Sequence, residues 1–189
     1  MHRFATLAIL ALTACNSGDG GRSSGQVPGQ TVALLDYQAT VPASMQAHPS
    51  TSSMRLAQYV VPRDDGTEAE VIVYYFGEGQ GGSADQNIVR WNAQFTGPDG
   101  GAITPHIMDV DGTTFPTTLA EFEGTYRRGI GMGSEAEPEP DQALVAAVVE
   151  TPRGNLFLQL FGDRAAVAAT RDDFLSMVTS IRPAEGGSV

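Results

Sequence analysis

The sequence predicts an α+β fold in which an antiparallel sheet is flanked by helices. Residues 54–61 and 70–76 are rich in Val, Ile and Tyr and flank an Asp-Asp-Gly turn, which predicts a β-hairpin. Residues 144–150 and 155–161 are two nearly continuous apolar runs around Thr-Pro-Arg-Gly, and they predict a second, buried hairpin. Two stretches with apolar residues at helical spacing complete a pattern that is typical of α+β proteins.

The first half of the chain supplies one strand, one hairpin and one helix. Residues 32–41 are apolar enough for a first strand or extended segment, and residues 42–53 predict a polar loop. After the first hairpin, Ser83 can cap a helix over residues 84–95, which Gly97-Pro98 would end. The apolar stripe of this helix consists of Ile88, Trp91 and Phe95.

The second half contains further strands and a closing helix. Residues 103–110 suggest a short strand before the Asp111-Gly112 turn, and the alternating residues 118–126 predict a half-exposed strand. The acidic residues 127–141 predict a mobile loop. Asp163 can cap a helix that runs through Ile181 before Pro183 ends it. Its stripe carries Phe174, Leu175, Val178 and Ile181, with Arg171 as a charged exception.

The N-terminus has a basic start followed by an apolar run of nine residues, Phe4–Leu12. This run is too short to span a bilayer and is typical of a signal peptide. Leu12-Thr13-Ala14-Cys15 follows, and it resembles the lipobox of bacterial lipoproteins, in which the cysteine receives the lipid. We therefore predict a signal peptide over residues 1–14 and a lipid anchor on Cys15, the only cysteine.

The rest of the chain divides into a tether, one domain and a tail. Residues 15–31 are rich in Gly and Ser and predict a flexible tether, followed by a single α+β domain over residues 32–183 and a tail over residues 184–189. The expected location is the periplasmic face of a membrane. Asn16 is not the Asp that retains some lipoproteins in the inner membrane, which favours the outer membrane.

Composition excludes several classes of function. The net charge of −11 disfavours nucleic acids and anionic membrane surfaces as partners, and the absence of lysine excludes lysine chemistry. Gly77–Gly82 fits the G-x-G-x-x-G pattern of dinucleotide-binding proteins, with Asp99 as the acid further on. Because Asp99 lies in a Gly-Pro-Asp-Gly-Gly turn, we interpret the glycines as a strand-to-helix turn and predict no nucleotide cofactor. An anion site at this turn is the weaker alternative, opposed by Glu78.

Signals for metal binding and catalysis are incomplete. Asp109-Val-Asp111-Gly112 resembles half of a calcium loop but lacks the later ligands, so it predicts a turn. His48 and His106 have no ligand-spaced partner, and the sequence contains no G-x-S-x-G motif. The sequence predicts no metal site.

From residue 53 onward, the chain resembles a group of uncharacterised bacterial exported proteins. The matching residues are Ser53-Met54-Arg55, Gly81-Gly82-Ser83, Asn87, Arg90-Trp91, Gln94-Phe95, Glu123–Tyr126, Phe161–Asp163 and Met177–Ile181. The last hairpin and helix also resemble the α/β sandwich of the photosystem extrinsic protein PsbP and a Ran-binding nuclear import factor. This resemblance implies an antiparallel sheet between helical layers, in proteins that usually act as assembly or binding modules.

The leading hypothesis is a non-enzymatic envelope lipoprotein, a tethered domain that binds an envelope protein or a small ligand. One alternative is an envelope enzyme whose site assembles from scattered residues, with Arg55, Asn87, Arg90 and Asp109 as the first candidates. Another is a module that binds calcium or a small ligand through its acidic loops.

The anchor can be tested with Cys15→Ser, which removes the thiol that would carry the lipid. We expect the wild-type protein in the membrane fraction and the variant in the soluble fraction, while Ser17→Ala, two residues further on, keeps the wild-type distribution. Fractionation of cells followed by immunoblotting measures both. Full retention of Cys15→Ser in the membrane fraction would refute the lipoprotein assignment.

Overall fold

A computed structural model describes residues 29–50, 52–127 and 137–185. The predicted signal peptide, Cys15 and most of the predicted tether lie outside the described residues. The strands are β1 Gln30–Leu34, β2 Tyr37–Val41, β3 Gln46–Ala47, β4 Arg55–Pro62, β5 Glu68–Tyr75, β6 Phe95–Thr96, β7 His106–Asp109, β8 Thr117–Tyr126, β9 Glu139–Thr151, β10 Gly154–Asp163 and β11 Arg182–Pro183. The helices are α1 Ala84–Asn92 and α2 Arg164–Thr179. In the described ranges, neither helix is long and apolar enough to cross a bilayer.

Eight strands form one antiparallel sheet in the order β3-β4-β5-β10-β9-β8-β6, with β7 also paired to β8. The predicted hairpins β4–β5 and β9–β10 are both confirmed. The second hairpin contributes the two central strands, and Leu156 of β10 lies opposite Val149 of β9. Long apolar strands at the centre of a sheet are expected because both faces of such strands are buried.

The core lies on both faces of this sheet. Val145, Ala147 and Val149 of β9 pack towards α2, while Ala146 and Val148 of the same strand pack towards α1. The side chains of a strand alternate between its two faces, so one strand supplies both clusters. The expected α+β arrangement, a sheet between helical layers, is confirmed.

The N-terminal segment differs from its prediction. A single strand over residues 32–41 was wrong, because the chain turns at Leu35 and Asp36 and returns as β2. Leu35 takes a positive φ of 60°, which few residues other than glycine adopt. The turn allows Leu34 and Tyr37 to enter the core from neighbouring strands. Strand β11 pairs with β2, so β1, β2 and β11 form a separate three-stranded sheet beside α2.

Helix α1 and strands β8 and β9 also differ from their predictions. Helix α1 ends at Asn92, because Phe95 pairs with Tyr126 as part of β6. Strand β8 is half-exposed as predicted around Phe122, which is buried, and Glu123, which is exposed, but Leu119 and Ala120 bury both faces of its first half. Strand β9 already begins at Glu139, inside the predicted acidic loop, of which residues 128–136 lie outside the described part of the chain.

Arg171, the charged exception on the apolar stripe of α2, has a partner on the sheet. Its Nη2 lies 2.6 Å and its Nε 2.8 Å from Oε1 of Glu121 on β8. The two side chains are partly buried, and the pair allows a charged residue to lie at the border of the core.

Phe174→Ala tests whether α2 contributes to the core as described. Phe174 is fully buried, so the variant should lose about 3–5 kcal/mol of the free energy of unfolding. Phe76→Ala is the matched control, because Phe76 is 37% exposed and should cost less than half as much. Urea unfolding followed by circular dichroism measures both, and equal losses would contradict the assignment of Phe174 to the core.

Candidate ligand-binding cleft

The glycine-rich segment forms the turn between β5 and α1. Gly77, Gly79, Gly81 and Gly82 all have positive φ. The turn passes close to aromatic rings, since a Cβ on Gly81 would lie 2.6 Å from the ring of Phe157 and 2.8 Å from that of Phe76. Strand β5 pairs antiparallel with both neighbours, β4 and β10, whereas a dinucleotide-binding fingerprint requires a parallel sheet.

The predicted cap of α1 is confirmed as a capping box. The Ser83 hydroxyl accepts a hydrogen bond from the Gln86 amide at 3.3 Å, and the Gln86 side-chain oxygen accepts from the Ser83 amide at 3.1 Å. Both bonds satisfy backbone N–H groups that have no partner within the helix. The first turn of α1 therefore has a defined position relative to the glycine turn.

Asn87 links this turn to the helix. Its side chain is only 1% exposed, and its amide nitrogen donates to the carbonyl oxygens of Gly81 at 2.8 Å and Ser83 at 2.9 Å. Its amide oxygen accepts a hydrogen bond from Nη2 of Arg90, one helical turn further on. A buried amide with all these bonds made is well fixed, and it orients the Arg90 guanidinium.

Arg90 and Asn87 lie at a cleft between α1 and strands β5 and β10. The cleft consists of two adjoining cavities of about 280 and 520 Å³, which share Phe76, Asn87 and Arg90. We call it the α1 cleft. The smaller cavity is walled by the aromatic residues Tyr74, Phe76, Trp91, Tyr126 and Phe157, with Gln94 and Gln159 as further polar residues. The larger cavity adds Gln80, Gly81, Gly82 and Gln86.

Arg55 lies next to the α1 cleft without lining it. It is paired across the hairpin with Tyr74, and its Nη1 lies 2.8 Å from Oε1 of Gln58 and 3.5 Å from Oε1 of Glu70. Burial raises the pKa of the Tyr74 phenol above its usual range; Arg55 opposes the rise and Glu70 adds to it. The phenol is therefore neutral at physiological pH.

Of the four residues predicted from sequence, Asp109 lies elsewhere. It is exposed on β7, an edge strand that is separated from β5 by β8, β9 and β10. Four strand spacings amount to roughly 19 Å. The structure therefore brings Asn87 and Arg90 together, places Arg55 beside them, and separates Asp109. Within the described ranges, no three His, Cys, Asp or Glu side chains are grouped as metal ligands.

The aromatic wall of the cleft was not predicted from the sequence. Tyr74 and Phe157 lie opposite each other on β5 and β10, and their rings share the face of the sheet that α1 partly covers. The alternation of β5 was the available signal, because it places Tyr74 on the face opposite Val73. Trp91, expected in the core, is 4% exposed and packs edge-on against Phe122 at 6.4 Å.

The guanidinium and amide groups of the cleft can form hydrogen bonds to a ligand. A guanidinium offers five N–H donors and cannot act as a base, and an amide is neither a nucleophile nor an acid at neutral pH. Among the described residues, the hydrogen bond to Asn87 is the one that the Arg90 side chain makes. The aromatic walls can bury an apolar group while the remaining donors of Arg90 bind a polar one.

Gly81→Ala tests the close approach of the turn to the aromatic wall, with Gly79→Ala as the matched control. Both glycines have positive φ, at 87° and 67°, so both variants bear the same backbone penalty of about 1–2 kcal/mol. Only the Gly81 methyl would meet rings, which should cost about 1–3 kcal/mol more. Urea unfolding measures the difference, and equal free energies of unfolding would contradict the described packing.

No family model and no curated protein matches the chain. Among solved structures, it is similar to cyanobacterial PsbP from Synechocystis sp. PCC 6803, with a TM-score of 0.50 and 12% identity, over 92% of this chain and 99% of that protein. The chain is also similar to a protein of unknown function from Pseudomonas aeruginosa, described as a putative regulator. The TM-score is 0.44 at 12% identity, over 83% of this chain and 98% of that one.

A crystal structure from Bacteroides thetaiotaomicron VPI-5482 gives a TM-score of 0.46 at 7% identity and covers 86% of this chain, which spans 50% of that protein. At such low identities, the likeness to cyanobacterial PsbP concerns the fold alone. The described chain has a PsbP-like α+β sandwich.

Proposed function

We propose that this chain is an exported lipoprotein, anchored at Cys15, whose folded part is a binding module that holds a small ligand in the α1 cleft. The observation that carries this proposal is the Arg90 guanidinium, oriented by the buried Asn87 above a cavity with five aromatic walls. Protein sites for small molecules typically combine apolar walls with a few fixed polar groups in this way.

The size of the cleft supports a small ligand. Cavities of about 280 and 520 Å³ adjoin at Phe76, and ligand pockets are commonly about 300–1,000 Å³. Helix α1 is held in place by its capping box and by the Asn87 side chain, so the cleft is largely formed before any ligand binds. A preformed site loses less conformational entropy on binding.

The chemistry of the cleft favours binding over catalysis. The enzyme hypothesis needed several of the four candidate residues in one cleft, but only Asn87 and Arg90 line it. Their side chains can bind and orient a ligand but cannot supply a nucleophile or a general base at neutral pH. The carboxylate of the set, Asp109, is on a distant edge strand.

The anchor part of the proposal rests on Leu12-Thr13-Ala14-Cys15 and the apolar run before it. An anchored domain on a Gly- and Ser-rich tether would face the periplasm, with the outer membrane favoured by Asn16.

Trp91 allows a direct test, because it is the only tryptophan and therefore gives a single indole N–H signal in NMR spectra. We expect naphthalene-2-carboxamide, a neutral aromatic probe, to shift this signal at millimolar concentration in the full chain carrying Cys15→Ser. Phe76→Ala should weaken the shift because Phe76 lines both cavities. Val89→Ala, on the exposed side of α1, should leave it unchanged.

An unchanged indole signal with millimolar probe would refute the cleft as an aromatic ligand site. Equal binding by wild type and Phe76→Ala would place the probe outside the α1 cleft.

A further inference from the structure

Resting on the proposed function, we infer that the ligand of the α1 cleft is a monocarboxylate with a planar apolar group, and that its carboxylate binds Arg90. Three features of the cleft support this ligand class: the hydrogen bonding of the Arg90 guanidinium, the residues around it, and the arrangement of the aromatic rings.

The Arg90 guanidinium is oriented but mostly unoccupied. Its Nη2 donates to Oδ1 of Asn87, whose two amide hydrogens are engaged by the carbonyls of Gly81 and Ser83. Because the amide is fixed from the other side, its oxygen points to Arg90 and holds the guanidinium plane. The remaining four N–H donors of Arg90 bind no described residue. Two neighbouring N–H groups are therefore available for an acceptor that forms two parallel hydrogen bonds.

The charge of Arg90 also lacks a partner among the described residues. Of the seven other described arginines, five have a carboxylate within 4.0 Å: Arg55, Arg63, Arg153, Arg164 and Arg171. Acidic residues outnumber basic ones by two to one in this chain, so a carboxylate beside Arg90 would be easy to supply. Instead, the residues around Arg90 in the cleft are aromatic rings, amides and glycines. Arg90 is exposed, so its charge is hydrated in the free protein and accessible to an anion brought by a ligand.

One guanidinium favours a single negative charge. Arg55, on the neighbouring strand β4, is engaged by Glu70 at 3.5 Å and by Gln58, and it does not line the cleft. A phosphate dianion in a protein of net charge −11 would meet repulsion that one arginine offsets only in part. A carboxylate matches the fork of a guanidinium with two parallel hydrogen bonds and carries one charge.

The arrangement of the aromatic rings favours a planar apolar group in the ligand. Tyr74 and Phe76 are nearly parallel, with an interplanar angle of 8° and centroids 6.0 Å apart, and Phe157 lies 5.5 Å from Phe76. Phe76 is 37% exposed although it is a large apolar residue. A planar apolar group on this surface would cover Phe76 and stack against the parallel rings of Tyr74 and Phe76, while the Phe157 ring is tilted by 57° to Phe76.

The test compares naphthalene-2-carboxylate with naphthalene-2-carboxamide, which has the same shape and no charge. In the full chain carrying Cys15→Ser, NMR titration of the Trp91 indole signal should give a Kd about tenfold lower for the carboxylate, because a hydrogen-bonded ion pair replaces neutral contacts. Arg90→Gln should remove this preference, because it weakens binding of the carboxylate more than binding of the carboxamide. Arg164→Gln, which alters the net charge equally on a different surface, should keep the preference.

Four outcomes decide the matter. A tenfold preference that Arg90→Gln alone removes supports the inference. Equal binding of the two probes, or a preference that survives Arg90→Gln, overturns the carboxylate site but leaves the proposed small-ligand function standing. Tighter binding of 2-naphthyl phosphate than of the carboxylate overturns the preference for a single charge. No shift of the Trp91 signal with any probe overturns the inference and the proposed function together.

Discussion

The hairpin of β9 and β10 is apolar on both faces, and neither face can be left in contact with water. Val145 and Ala147 require a cover on one side, and Ala146 and Val148 require one on the other. Helix α2 and the three-stranded sheet provide the first cover. Helix α1 provides the second, but it has 9 residues where α2 has 16, about 13 Å against 24 Å of length. The α1 cleft lies where the shorter helix leaves β5 and β10 uncovered.

Elements with a long local pattern were predictable from sequence. The hairpins β4–β5 and β9–β10 and both helices carry their periodicity in consecutive residues, so their positions agree within a few residues. The short strands β3, β6 and β11 have two residues each, which is too few to show any period, and they exist because of their partners. The turn at Leu35 could not be predicted because leucine rarely adopts a positive φ. The burial of Leu34 and Tyr37 offsets the cost of this backbone conformation.

The candidate site was predictable only in part, and the reason is geometric. Asn87 and Arg90 are three positions apart on one helix, so helical spacing alone places them on one face. Their relation to Tyr74 and Phe157 depends on strand register and on how α1 docks, which are set by packing across the whole sheet. Asp109 was grouped with them by residue type, and residue type carries no information about distance. Buried polar side chains with complete hydrogen bonding, such as Asn87, become recognisable only with the fold in hand.

The three-stranded sheet joins the two ends of the folded chain. Strand β11 pairs with β2, and the Thr40 amide donates to the Ser180 hydroxyl across 140 residues of sequence. The entropic cost of closing a loop grows slowly with its length, and contacts between distant parts of a chain slow folding. During synthesis, the sheet that begins with the β1–β2 hairpin can be completed only after β11 has been made.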